Sequence, residues 1–100
     1  MKKMVAEFIE EYHLDCGEKI RYMDLVSEVG ELGKEIIKGC NYGKQEYTNT
    51  PNIESELGDC LFSLLALCHE MGIDADNALN TALTKYKKRF NSKGEIGSGE

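Results

Sequence analysis

Leu25, Val29, Leu32 and Ile36 recur at four-three-four spacing, which dictates an amphipathic helix with one continuous apolar stripe. A second stripe follows at Ile53, Leu57, Cys60, Leu61, Leu64, Cys68 and Met71. Both stripes are expected to be core. The chain has a single proline and few β-branched runs, so strands have little to build on. The expected fold is therefore all-α, with four helices over about 2–12, 19–38, 52–71 and 74–90. At 100 residues the chain allows one small domain, placed at 1–91, with a glycine-rich flexible tail at 92–100. Such a domain buries a modest core, and the expected remedy is a helical bundle completed by oligomerisation.

The helix ends carry punctuation. Thr50 before Pro51 suits an N-cap with a first-turn proline, and Glu54 stands near the positive end of the dipole. Gly72 is a natural stop for the third helix. Asp74 then reads as the next N-cap. Lys85, Lys87, Lys88 and Arg89 load the last turns of the fourth helix, where cations are favoured. Gly30 and Gly33 are unusual in a helix interior, where each costs roughly 1 kcal/mol relative to alanine. Their expected return is close approach of another helix or a ligand.

Acids outnumber bases by 18 to 12, for a net charge of −6. That argues against a duplex-binding surface and leaves a small phosphate ligand open, because a local cation can reverse the field. No apolar run has the length of a signal peptide or a membrane span, so the expected location is the cytoplasm, without a membrane partner. Cys16, Cys40, Cys60 and Cys68 form no C-x-x-C pair, and His13 and His69 complete no zinc pattern with them. They read as free thiols.

The informative residues are acids. Asp24, Glu28, Glu31 and Glu35 follow a four-three-four rhythm and share one stripe of the second helix. Glu56 and Asp59 share a face of the third. Like charges so spaced repel, and a single E-x-x-E pair is ordinarily a solvated face. Here, however, each acidic stripe borders an apolar one, so each should lie near a helix seam. If the two helices pack antiparallel, Glu28, Glu31, Glu56 and Asp59 converge and require cations. Hard oxygen ligands favour Mg²⁺, with Mn²⁺ a substitute. Glu35, one turn beyond, should matter much less unless it supplies a base.

The stretch Leu25-Val-Ser-Glu28-Val-Gly-Glu31-Leu-Gly-Lys-Glu, followed by Glu56-Leu-Gly-Asp59-Cys-Leu-Phe, resembles the MazG-type all-α nucleoside triphosphate pyrophosphohydrolases. Gly-Ile-Asp-Ala-Asp-Asn-Ala-Leu and Lys-Tyr-Lys-Lys-Arg-Phe behind it extend the resemblance through the fourth helix. It implies that Glu28, Glu31, Glu56 and Asp59 are the catalytic metal-binding carboxylates. It implies also that Lys85 and Arg89 face the nucleotide phosphates. The implied reaction is attack of water on a nucleoside triphosphate, giving monophosphate and pyrophosphate, in a nucleotide-pool clean-up role. The implied assembly is a homodimer, or a tetramer made of dimers, with the site near a subunit interface. Ser27 stands where many relatives have a second acid, and Leu83 where many have asparagine. The competing reading is a non-catalytic helical oligomer whose carboxylates hold a structural divalent ion. That site would not need the cations of the fourth helix, which could then simply complement its dipole.

Overall fold

Four helices account for most of residues 1–93, the part of the chain that the structure, a computed structural model, describes. They are α1 (Lys2–Glu11), α2 (Glu18–Gly39), α3 (Ile53–Met71) and α4 (Ala75–Lys93). Among the described residues there is no strand. Helix α4 runs on to Lys93, past the expected end at 90. The remainder of the expected tail, 94–100, lies outside the described residues.

The third helix ends as its glycine requires. Gly72 adopts a left-handed conformation (φ 68°, ψ 26°), and Ile73 N–H returns to the carbonyl of Cys68 at 3.0 Å. Asp74 caps α4 by accepting from the Asn77 amide at 3.1 Å. Asp74 also accepts from Lys2 Nζ at 2.6 Å, which ties the start of α1 to the start of α4. The Lys2 hydrogen bond, more than the Asn77 amide, holds the Asp74 carboxyl below its ordinary value of 3.8.

The expected cap at Thr50 is not formed. Helix α3 opens two residues later, with Asn52 at the N-cap position and no side-chain cap. The Thr50 hydroxyl is engaged elsewhere, as a donor to Glu35.

Helix α3 is the centre of the fold, with α2 along one side and α1 on another. Val5 and Ile9, one turn apart on α1, are buried against Ala66, with Phe62 and Leu65 packed around them. At the far end of the α2–α3 pair, Arg21 is buried. Its Nη2 donates to the Leu14 carbonyl at 2.7 Å, and its guanidinium lies 5.5 Å from the Phe62 ring centre. The Cys16 amide donates to Glu70 at 3.0 Å, so the α1–α2 loop is tied to the end of α3.

The expected core stripes are only partly covered within one chain. Leu25 and Leu32 are half-buried, but Val29 and Ile36 stay exposed, as do Leu57, Leu61, Leu64 and Met71 on α3. The physical reason is a missing layer: α2 and α3 cover each other, α1 covers part of α3, and α4 packs broadly on none of them. Gly30 and Gly33 agree, since a Cβ at either would meet nothing within 4 Å. The close approach expected of them does not occur among the described residues of the chain. The radius of gyration, 16.6 Å, exceeds the roughly 13 Å of a compact 100-residue domain.

Candidate functional site

Glu28 projects from the middle of α2 at the α2–α3 seam, and the antiparallel return of α3 brings Glu56 and Asp59 to it. One carboxylate oxygen from each of these three residues lies within 4.8 Å of the others. Glu28 and Glu56 are half-buried and Asp59 is exposed. Desolvation, then the charges of Asp59, Glu56, Glu31 and Asp24, raise the Glu28 carboxyl above its ordinary value of 4.5. Burial, then the charges of Glu28, Asp59 and Glu56, also push up the Cys60 thiol. All four cysteines are free thiols.

Glu31 stands apart from this three-residue group. Its carboxylate is 3.9 Å from Lys34 on its own helix, although its charge still reaches Glu28. Lys85 and Arg89 sit one turn apart on α4, each 5.6 Å from the ring centre of Tyr86 between them. Helix α4, which carries these cations, packs broadly on neither α2 nor α3 among the described residues.

Glu35 is the residue that the periodicity describes least well. It lies on the acidic stripe, yet it is buried, and its Oε2 accepts from Thr50 Oγ1 at 2.5 Å. Lys38 Nζ is 4.0 Å from the other oxygen. A buried carboxylate held by a hydroxyl is not a free base facing solvent. Nothing local in the sequence marks Arg21 or Gly39, and Thr50 carries there only the signal of an N-cap. Position on the stripe was the one available signal for Glu35, and nothing local named its partner.

Carboxylate oxygens are hard donors, and three of them at this separation suit Mg²⁺ or Mn²⁺ and no soft metal. Desolvation first, then the neighbouring carboxylates, disfavour the charged form of Glu28, and a cation beside it would offset both. The fit to a divalent cation is therefore good.

A pH dependence follows for the protein in EDTA. With its pKa raised on folding, Glu28 binds a proton more readily in the folded than in the unfolded state. Its ionisation thus opposes folding above the folded pKa, and the penalty is relieved as pH falls towards 4.5. The melting temperature in EDTA should rise over that fall, and the Glu28→Gln variant should lose this part of the rise. Identical pH profiles for the two proteins would contradict the electrostatic account.

A family model described as the MazG nucleotide pyrophosphohydrolase domain matches residues 18–92, from the first turn of α2 to the last turn of α4. No curated protein and no solved structure matches the chain. Among the described residues no helix is long and apolar enough to cross a membrane.

Proposed function

The chain belongs to the MazG nucleotide pyrophosphohydrolase family, and on that premise we propose that it is a Mg²⁺-dependent nucleoside triphosphate pyrophosphohydrolase. The observation that carries the reading is the meeting of Glu28, Glu56 and Asp59 across the α2–α3 seam, inside the span matched by the family model. Glu28, Glu56 and Asp59, joined by Glu31 from the next turn of α2, would hold the metal. When bound, Mg²⁺ supplies charge neutralisation at the phosphates and a more acidic water. In the net reaction an oxygen of water bonds to the α-phosphorus, the bridge to the β-phosphate breaks, and pyrophosphate leaves. The role proposed is clean-up of the nucleotide pool in the cytoplasm.

Lys85 and Arg89 are proposed to bind the phosphates, where fixed positive charge stabilises the transferred group. Since α4 packs broadly on neither α2 nor α3 among the described residues, the proposed homodimer or dimer of dimers would fix these residues against the acids. Lys85→Ala and Arg89→Ala should raise KM several-fold for a triphosphate and leave the helical circular dichroism unchanged. Wild-type kinetics in both would return the residues to a helix-dipole role.

The test of the function is pyrophosphate release from a panel of common and damaged nucleoside triphosphates, with Mg²⁺, Mn²⁺ or EDTA. Release that needs the metal is expected from at least one of them. Metal binding without release from any triphosphate would favour the structural-ion reading.

A further inference from the structure

Two helices can slide along a shared seam, so something must set the register that brings Glu28 opposite Glu56 and Asp59. The contacts of α2 reveal it at intervals of seven residues, two helical turns or roughly 10.5 Å. Arg21 meets Phe62, Glu28 meets Asp59 and Glu56, and Glu35 meets Thr50. The carboxylate group is thus flanked on one side by a buried arginine and on the other by a buried glutamate. Of the two flanks, the second acts on the loop that leads directly into Glu56.

That loop is built to return. After Gly39 the chain reverses through Asn41, Tyr42 and Gly43, all with positive φ. It then runs back alongside the end of α2, where the Thr48 amide donates to the Gly39 carbonyl at 3.0 Å. A Cβ on Gly39 would lie 2.7 Å from the Thr48 carbonyl oxygen and collide with the Tyr47 ring, so only glycine permits this approach. Two residues later Thr50 reaches Glu35, and six residues after that comes Glu56. Glutamate is almost never buried without a partner. Here the hydroxyl of Thr50 supplies a hydrogen bond that burial makes costly to lose.

We propose that Glu35 and Thr50 are positioning residues: their partly buried hydrogen bond, beside the Gly39 contact, clamps the α2–α3 loop and sets the register in which Glu56 and Asp59 face Glu28. The inference rests on the metal-site reading above. It gives Glu35 a part in the site without contact with metal or substrate. Thr50, placed to cap α3, is diverted to this contact.

The test is Mn²⁺ binding to the full chain, read from the electron paramagnetic resonance signal of free Mn²⁺, alongside kcat and KM for a triphosphate. Outer-shell partners bonded to metal ligands typically contribute about 10–100-fold; the clamp acts through the loop, so Thr50→Val should raise the Mn²⁺ Kd about tenfold, the low end of that range. Its kcat should fall with KM little changed, because the phosphate-binding cations are untouched. Thr50→Ser keeps the hydroxyl and should stay within about threefold of wild type, since the hydrogen bond survives. Glu35→Gln keeps an acceptor oxygen and should likewise retain most of the affinity, whereas Glu35→Ala should resemble Thr50→Val. Mn²⁺ affinity within twofold of wild type in both Thr50→Val and Glu35→Ala would overturn the clamp. If Thr50→Val fails to fold, the Glu35→Gln and Glu35→Ala pair decides in the same way. Wild-type protein that binds no Mn²⁺ would instead overturn the metal reading, and the clamp with it.

Discussion

Replacement of Glu56 by Gln or Asp59 by Asn should reduce metal-dependent pyrophosphate release to near background, with Glu28→Gln equally damaging. Each change removes one charge and one directed oxygen from a group whose members lie within 4.8 Å of one another. The loss should exceed the roughly 10–100-fold typical of outer-shell partners, because these side chains would touch the ion itself. Residues that act as a unit show strongly non-additive losses. The double variant Glu28→Gln/Asp59→Asn should therefore be scarcely worse than either single change. Folding should survive in all of them. In EDTA the Glu28→Gln protein should melt higher than wild type, since it removes a carboxylate that its neighbours oppose.

Glu31 is the sharper arm of the same experiment. In the metal-free chain it leans towards Lys34 and lies outside the three-residue group. As a fourth ligand it would have to turn from Lys34 to the ion, and Glu31→Gln should then lose turnover as well. Steady-state pyrophosphate release in each variant, with circular dichroism and melting in EDTA, measures all of this. Near-wild-type rates in both Glu31→Gln and Asp59→Asn would make the carboxylates a solvated face and end the enzyme reading. Loss in Asp59→Asn with full activity in Glu31→Gln would restrict the ligand set to the group already assembled.

Glu35 shows why the sequence carried some of this and not the rest. Helical periodicity fixes the direction of a side chain, so it could assign Glu28, Glu56 and Asp59 to the borders of two apolar stripes and anticipate their approach. It assigns Glu35 to the same stripe for the same reason, and there it stops. Whether an acid on a seam faces other acids or a hydroxyl depends on what the partner segment places opposite. For Glu35 that segment is a loop, which has no period to read. Gly39 is legible only once Tyr47 and Thr48 are known to return to it. Thr50 was misread because local spacing offered it a helix to cap, whereas a buried carboxylate across the seam held its hydroxyl. The four helices themselves were legible, since periodicity is local, whereas the end signals held at Gly72 and Asp74 but not at Thr50. The depth of the core was not, because an apolar stripe records that a residue needs cover and says nothing of which chain provides it.

That need for cover supports the second large effect. In solution the chain should sediment as a dimer or a dimer of dimers at micromolar concentration, with a melting temperature that rises with protein concentration. Leu57, Leu61 and Leu64 form a continuous four-three stripe on α3, and each retains 45–49% of its surface exposure. Gly58, beside them, leaves open space where a Cβ would point. Full burial of a leucine contributes about 1.5–3 kcal/mol, so half-exposed leucines leave a substantial fraction of that unrealised at each position. Contiguous apolar surface of this kind marks an interaction site on a soluble protein. A second copy of the chain is the proposed cover, because the same addition would supply the missing layer and give α4 something to pack against. Leu61→Glu should then shift the sedimentation to monomer and lower the melting temperature by many degrees, since an interface core does not accommodate an unpaired charge. Lys44→Glu, in the exposed α2–α3 loop, is the control and should alter neither. A wild-type chain that sediments as a monomer, with a melting temperature independent of concentration, would leave α3 an exposed apolar face and remove the assembly from the proposal.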